Sequence, residues 1–266
     1  MSVLICIPAR YPSQRFPGKP LAMLTGATGE ARSLIERTWR AAQTVEDEAR
    51  IVVATDDDRI RDAAEGFGAE VVMTSSACRN GTERCAEAMV ALGGDFEIVV
   101  NLQGDAPLTP PWFVSDLIAG LRAAPKAGMA TPVLRCDGAA LTGFLQDRRE
   151  GRVGGTTAVF GADNHALYFS KEVIPYTGTD YAMDDPTPVY HHVGIYAFRP
   201  DALAAYPTWP TGPLEQLEGL EQLRFLEQGR PVLCVEVDAR GMPFWELNNP
   251  SDIPKIEAML AETGQA

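Results

Sequence analysis

The sequence is poor in the residues that build metal centres and disulfide frameworks. Its 266 residues include only three histidines and five cysteines, and the cysteines are scattered, odd in number and never arranged as C-x-x-C. This pattern argues against a structural zinc site and is typical of proteins from a reducing compartment. We therefore expect a cytoplasmic protein.

Long apolar runs are also missing. No stretch approaches the roughly 18 apolar residues that a membrane-spanning helix needs, so none is expected. The first residues, MSVLICIPARYP, lack the basic segment and the small-residue cleavage site of a secretory signal. The sequence therefore gives no reason to expect a membrane as a partner.

Positive charge is scarce as well. Lysine and arginine number 23 against 36 aspartates and glutamates, which gives a formal net charge of −13. Such a field repels nucleic acid and anionic lipid, so neither is expected as a partner. A local cluster of cations in so acidic a chain is correspondingly informative.

Short apolar runs alternate with helical patterns through the first half. Strands are predicted for VLICIPA, RIVVATD, EVVMTS and FEIVVNLQGD, and helices for SLIERTWRAA, DRIRDAAEGFG and GTERCAEAMVALG. Ser33 and Glu36 have the spacing of a helix capping box. Continuous apolar strands separated by helices predict an α/β fold with a mostly parallel, doubly wound sheet in one domain spanning residues 1–266.

The pattern changes after about residue 125. Strands are predicted for GMATPVLR, TTAVFG, HALYFS and HVGIYAF, with long links rich in proline and glycine. Residues 130–210 are therefore interpreted as an insert or small subdomain. The tail predicts one helix over GPLEQLEGLEQLRFLEQG, then the strand PVLCVEV and a last helix from Pro250.

Polar loops follow several predicted strands, and ligands of open α/β sheets bind at that edge. The loop PARYPSQRFPGKPL carries Arg10, Arg15 and Lys19 and no acid. These cations suit a triphosphate, although the Walker spacing is absent. A solvated basic loop is the alternative.

Asp105 in NLQGDAPLTP could hold Mg²⁺ against phosphates, or could be a plain turn residue.

Two other polar residues are candidates for recognising a base. Gln103 precedes Asp105 by two residues and could donate to a base or a ribose. In NGTER, Arg84 and the loop amides could read a pyrimidine edge. The alternative is an ordinary helix start capped by Thr82.

Seven segments in order resemble the 3-deoxy-manno-octulosonate (Kdo) cytidylyltransferases, the CMP-Kdo synthetases, which are relatives of the CMP-sialate synthetases. The segments are IPARYPSQRFPGKPL, VVATDD, GTERCAEA, VNLQGDAP, ALYFSKEVIPY, HVGIYAFR and PLEQLEGLEQLRFLEQG. The resemblance covers about residues 3–235. It implies a Rossmann-like nucleotide-diphospho-sugar transferase fold with a small α+β dimerisation insert, and hence a homodimer. It also implies transfer of CMP from CTP to the anomeric hydroxyl of a 3-deoxy-2-ulosonate sugar acid, with release of pyrophosphate and a requirement for Mg²⁺.

The resemblance also implies roles for individual residues. CTP would be bound by Ala9, Arg10, Ser13, Arg15, Lys19, Arg79, Gly81 and Gln103, and the catalytic set would be Arg10, Arg15, Lys19 and Asp105. The sugar would be bound by Lys171, His192, Tyr196 and Glu215. The metal would be held by Asp105 with Glu246 or Asn248. Glu218 and Glu221, on the same predicted helix as Glu215, are expected on a solvated face.

Three departures from the family pattern lie on the acceptor or metal side. Thr157 stands near a family lysine, Lys171 replaces the usual arginine after FS, and Asn248 replaces a metal-binding aspartate. These departures predict that Kdo is a second-best acceptor, behind an amino-substituted or nine-carbon ulosonate. The alternatives are a catalytically weakened nucleotide-binding paralogue and a cytidylyltransferase for a different acidic sugar. A Rossmann dehydrogenase is disfavoured, because no G-x-G-x-x-G follows the first strand.

Overall fold

The computed structural model of the chain describes residues 2–12, 16–105, 107–153, 155–242, 245, 247 and 249–265. The chain divides into two compact units, one formed by Met1–Ser115 with Ala239–Ala266 and the other by Asp116–Asp238. The predicted insert at residues 130–210 falls within the second unit. Across the described residues, no helix has the length and apolar character needed to cross a membrane.

The strands and helices are named here in chain order. The strands are β1 (Ser2–Ala9), β2 (Met23–Thr25), β3 (Ala31–Ser33), β4 (Ala49–Thr55), β5 (Glu70–Met73), β6 (Phe96–Leu102), β7 (Met129–Asp137), β8 (Thr156–Phe160), β9 (Ala166–Ser170), β10 (Pro186–His192), β11 (Ile195–Phe198) and β12 (Val232–Glu236). The helices are α1 (Leu34–Ala42), α2 (Asp58–Gly66), α3 (Gly81–Leu92), α4 (Pro111–Ala123), α5 (Gly138–Arg149), α6 (Pro200–Ala205), α7 (Pro213–Glu218), α8 (Leu223–Glu227) and α9 (Ile253–Glu262).

A parallel sheet with strand order β5-β4-β1-β6 organises the first unit. Strand β1 is buried from Val3 to Ala9, as expected for a central strand that is covered on both faces. The chain first builds outward from β1 to β4 and β5, and then returns to place β6 on the other side of β1. This reversal confirms the predicted doubly wound order. It also creates a crevice at the carboxyl ends of β1 and β6, where such folds bind ligands.

Helix starts in the first unit depend on side-chain caps. The backbone N–H of Glu36 donates to Ser33 Oγ at 3.3 Å, which confirms Ser33 as the N-cap of α1. Helix α3 differs from the prediction, because its N-cap is Asn80, whose Oδ1 accepts from the backbone N–H of Glu83 at 2.9 Å. Thr82 lies inside the helix and is buried, so its prediction as the cap was wrong.

The second unit contains a sheet that returns on itself. Strand β7 pairs with β12 on one side and with β10 on the other, and β10 continues to β8 and β9. Residues just before β9 then meet β12: the backbone N–H of Cys234 donates to the carbonyl of Asn164 at 2.8 Å, and His165 bridges Leu233. The residues that lead into β9 are thereby held against β12.

The helical tail of the second unit is interrupted. The single helix predicted over GPLEQLEGLEQLRFLEQG is instead two short helices, α7 and α8, and Gly219 ends α7 in a left-handed conformation with φ of 63°. The prediction of one helix was therefore wrong. Glu215 and Glu218 share α7, whereas Glu221 lies in the link between the helices.

A buried arginine ties three elements of the first unit together. Arg84 of α3 donates to Thr74 Oγ1, just after β5, and its Nη2 lies 3.0 Å from Asp56 Oδ1, just after β4. Its side chain is 4% exposed. These contacts fix the start of α3 against two strand ends and make Arg84 a structural residue.

We expect Arg84→Met to lower the free energy of unfolding by about 3 kcal/mol, because removing one partner of a buried ion pair leaves the other charge without a partner. Urea unfolding followed by circular dichroism measures the change. The double variant Arg84→Met/Asp56→Asn, which also removes the charge of Asp56, should recover part of the lost stability. A single variant within about 1 kcal/mol of the wild type would contradict this structural role.

Candidate functional site

The basic loop after β1 is closed at its base. The backbone N–H of Gly18 donates to the carbonyl of Tyr11 at 3.0 Å, and Gly18 has φ of +72°, a conformation that favours glycine. The guanidinium of Arg59 lies 3.3 Å from the centre of the Tyr11 ring. Arg10, at the end of β1, is exposed. The predicted ligands Ser13 and Arg15 lie outside the described residues.

Two predicted catalytic residues meet at the crevice between β1 and β6. Lys19 Nζ lies 2.7 Å from Asp105 Oδ2, although the two residues are 86 positions apart. Lys19 begins a short 3₁₀ turn after the basic loop, and Asp105 follows β6. The loop topology therefore brings the predicted phosphate ligand and the predicted metal ligand into direct contact.

The start of α3 packs closely against the end of β6. A methyl group on Gly81 would come within 3.1 Å of Gln103 Nε2 and 3.2 Å of Asn101 Nδ2, so only glycine fits here without displacing its neighbours. Ala9 ends β1 and is buried. Arg79 is half-exposed and pairs with Glu83 at 2.5 Å. Of the residues predicted for CTP, the structure thus places Gly81 next to Gln103.

The predicted partners of Asp105 in metal binding, Glu246 and Asn248, lie outside the described residues. Leu247 between them is fully buried, and its backbone N–H donates to the carbonyl of Asp105 at 2.9 Å. Its side chain belongs to a buried cluster with Leu24, Leu34, Leu108, Ile256 and Leu260. Leu247 is therefore anchored beside Asp105.

Asp105 fits a magnesium ion that shares its ligands with a substrate. Magnesium is usually held by one or two carboxylates together with phosphate oxygens and water, rather than by an all-protein cage. The half-buried carboxylate of Asp105 offers one such ligand.

In the second unit, Glu215 is held by an arginine. Its two carboxylate oxygens accept from Arg224 Nε at 2.7 Å and Nη2 at 2.6 Å, and both side chains are buried. Glu227 accepts from the backbone N–H groups of Leu214 and Glu215 at the start of α7. Glu215 therefore has a structural partner, and its role as a sugar ligand stays a prediction.

His192 and Tyr196 lie in one buried polar network. Thr131 Oγ1 is 2.9 Å from His192 Nε2, and the rings of His192 and Tyr196 stack with centres 5.7 Å apart. Burial, and secondarily the neighbouring His191, lowers the pKa of His192 to about 3. Its imidazole is therefore uncharged at neutral pH and acts as a hydrogen-bonding group, not as a cation.

The network extends to a residue that the sequence analysis missed. Tyr196 donates its hydroxyl to Gln222 Oε1 at 3.1 Å. Gln222 is 1% exposed, and its Nε2 has no hydrogen-bond partner among the described residues. Nothing in the local pattern distinguishes this glutamine from its polar neighbours, because its contact depends on how β11 meets the start of α8.

Glu218 is the second residue that the sequence analysis missed. Its carboxylate accepts from Ser170 Oγ at 2.7 Å and from the backbone N–H of Lys171 at 2.9 Å. The expectation of a solvated face was wrong for Glu218, which fixes the end of β9 and the backbone of Lys171. The spacing of three from Glu215 was the available signal, since it places both carboxylates on one side of α7.

Thr157 is accounted for by local structure. It is fully buried in β8, where its hydroxyl donates to the carbonyl of Glu172 at 2.6 Å and accepts from the backbone N–H of Ile174 at 3.2 Å. This residue therefore shapes the segment after β9. Its difference from the family pattern is not evidence for a changed acceptor.

Comparison with known proteins places this chain in a family. The sequence model of the cytidylyltransferase family matches residues 4–232. A relative from Maricaulis maris, named 3-deoxy-manno-octulosonate cytidylyltransferase, is 45% identical over 265 residues, which cover all of this chain and 99% of the relative. One from Shewanella piezotolerans, named 8-amino-3,8-dideoxy-manno-octulosonate cytidylyltransferase, is 41% identical over 98% of this chain and 99% of its own.

A solved structure agrees with these relatives. It is named as CMP:2-keto-3-deoxy-manno-octonic acid synthetase complexed with CTP, and it matches 99% of this chain and all of its own with a TM-score of 0.82 and 32% identity. The likeness confirms the predicted Rossmann-like nucleotidyltransferase fold. The resemblance seen in the sequence is confirmed too: the chain belongs to the cytidylyltransferase family and groups with its 3-deoxy-manno-octulosonate members.

Proposed function

We propose that this protein transfers CMP from CTP to the anomeric hydroxyl of Kdo, or of a close relative, and releases pyrophosphate. The observation that carries the proposal is the contact between Lys19 and Asp105 at the carboxyl ends of β1 and β6. It lies in a chain that matches Kdo cytidylyltransferases over its whole length. A cation for the phosphates and a carboxylate for the metal are the two charges that nucleotidyl transfer needs.

The reaction is an in-line displacement at the α-phosphorus of CTP. The anomeric oxygen of the sugar forms a new bond to that phosphorus, the bond from the α-phosphorus to the β-phosphate oxygen breaks, and the hydroxyl proton is released. Arg10 and Lys19, with Arg15, would neutralise the triphosphate and the departing pyrophosphate. The rate acceleration comes from positioning the reactants and stabilising their charges, so no nucleophilic side chain is required.

Asp105 would hold Mg²⁺, together with Glu246 or Asn248, the sequence neighbours of Leu247. When bound, the ion supplies positive charge to the phosphate oxygens. The protein's own contribution is to orient the carboxylate, and the hydrogen bond from Leu247 N–H to the carbonyl of Asp105 supports that orientation.

The sugar acid would be held by Lys171, His192, Tyr196 and Glu215 of the second unit. Lys171 offers a cation for the carboxylate, and Glu218 fixes its backbone. Neutral His192 and Tyr196 offer hydrogen bonds to hydroxyl groups, and Glu215 is supported by Arg224. The predicted residues therefore include the charge and the polar groups that an ulosonate requires.

The proposed assembly is a homodimer in the cytoplasm. Large apolar side chains of the second unit face solvent, namely Tyr176 (93% exposed), Leu167 (69%), Met183 (61%) and Val153 (55%). Among the described residues, exposed large apolar side chains are more numerous in the second unit than in the first, which supports a contact with a second copy. The scattered cysteines support a reducing compartment.

Nucleotide selectivity tests the proposal first. CTP with Mg²⁺ should raise the melting temperature more than ATP or GTP, because a ligand at 100 times its Kd stabilises the folded state by about 2.7 kcal/mol. Differential scanning fluorimetry at equal nucleotide concentrations measures this. Equal shifts from all three nucleotides would refute cytidine selectivity. A CTP-specific shift without pyrophosphate release would instead identify a weakened paralogue.

Acceptor choice is tested by kcat/KM for a panel of 2-keto-3-deoxy sugar acids at saturating CTP. Since Thr157 is explained by local packing and Lys171 keeps a cation at the acceptor, we expect kcat/KM for Kdo to equal or exceed that for its 8-amino analogue. A preference of tenfold or more for the amino sugar would contradict this, and would restore the acceptor change that the sequence predicts.

Oligomeric state has a direct test. Multi-angle light scattering at micromolar concentration should report twice the 28.8 kDa of one chain. Replacing Leu167 and Met183 by aspartate should shift the mass toward the monomer, because charged groups in an apolar interface lose their hydration. A wild-type mass of 28.8 kDa would refute the dimer.

A further inference from the structure

Lys19 is the proposed ligand of the phosphates and Asp105 the proposed ligand of the metal, and the two side chains contact each other. The side chains are 17% and 29% exposed, so water screens their 2.7 Å contact less than it screens a surface ion pair. Neither side chain makes another ion pair within the described part of the chain. In this arrangement the ammonium group lies on one of the two carboxylate oxygens that the proposed function offers to Mg²⁺.

An ammonium group and a magnesium ion compete for such an oxygen. Magnesium binds carboxylate oxygens at about 2.1 Å and repels a positive charge a few ångströms away. An ammonium group on Asp105 therefore weakens binding of the ion there, and its departure strengthens that binding. The triphosphate of CTP, with more negative charge than one carboxylate, is the group that draws Lys19 away.

We propose that Lys19 blocks the metal site in the nucleotide-free enzyme, and that CTP opens it by withdrawing the ammonium group from Asp105. This inference rests on the proposed function and extends it: metal binding becomes conditional on nucleotide binding through one exchange of partners. Lys19 thus has a second role, as a gate for the metal, in addition to its contact with phosphate.

The backbone geometry suits an exchange that moves only side chains. Lys19 is held in its 3₁₀ turn, where its N–H donates to the carbonyl of Phe16 at 3.2 Å and its own carbonyl accepts from Ala22 at 3.0 Å. The backbone of Asp105 is held by Leu247. The four-carbon stem of lysine reorients readily between such fixed points.

The test measures Mn²⁺ binding without nucleotide, by electron paramagnetic resonance of the free ion. Wild-type protein should bind Mn²⁺ weakly, and Lys19→Met should bind it at least about fivefold more tightly, because the competing ammonium is gone. Lys19→Arg keeps a cation and should stay close to the wild type. Lys126→Met, at an exposed lysine of the second unit, makes the same change in net charge and should also stay close to it.

A second measurement separates this inference from simple damage to the site. CTP binding in EDTA, followed by calorimetry, should be weaker in Lys19→Met than in the wild type, because the phosphates lose a cation. Opposite changes for Mn²⁺ and CTP support the exchange, whereas a distorted site would weaken both. If the wild type fails to bind CTP, the proposed function fails. The Mn²⁺ comparison still tests whether Lys19 blocks the metal site.

The inference is overturned if Lys19→Met binds Mn²⁺ within about twofold of the wild type, a difference no larger than an ordinary surface ion pair can produce. The absence of measurable Mn²⁺ binding in both proteins has the same meaning. An equal gain in Lys126→Met also overturns it, because the effect would then come from net charge and not from the contact with Asp105.

Discussion

The ion pair between Lys19 and Asp105 is the interaction on which the nucleotide side of this protein depends. It joins the loops that follow two neighbouring parallel strands, β1 and β6, at the point where the winding direction of the sheet reverses. A doubly wound sheet leaves a crevice there, because successive crossovers run to opposite sides. The surrounding structure fixes the backbone on both sides of that contact: Gly18 closes the basic loop, and Leu247 holds the backbone of Asp105.

The second unit also depends on two carboxylates, of which Glu215 is buried and Glu218 is partly buried. Glu215 holds Arg224, while Glu218 fixes the end of β9 and the backbone of Lys171. Both carboxylates project from α7, a helix of six residues. Such a short helix is not stable by its own hydrogen bonds, so its position is set by these contacts. A change in α7 would therefore alter the positions of Lys171 and Glu215 together.

The features that were predicted correctly depend on neighbours in sequence or on topology. The apolar runs gave the parallel strands, Ser33 with Glu36 gave a helix start, and strand order placed Lys19 near Asp105. The misses depend on distant contacts. The partners of Glu218 lie 47 and 48 residues away, and the single helix predicted after Gly212 overlooked the break at Gly219. Thr157 was interpreted as lying on the acceptor side of the site. Its buried hydrogen bonds to residues 172 and 174 could not be recognised from the residues next to it in sequence.

The most direct measurement of the central claim is phosphorus NMR of a mixture of the protein, CTP, Mg²⁺ and Kdo. Transfer of CMP to the anomeric oxygen predicts one new phosphodiester resonance and an equal amount of pyrophosphate. Both should be absent with Asp105→Asn, which keeps the shape of the side chain and removes its charge. Unchanged triphosphate resonances, or the monoester resonance of free CMP, would contradict the account.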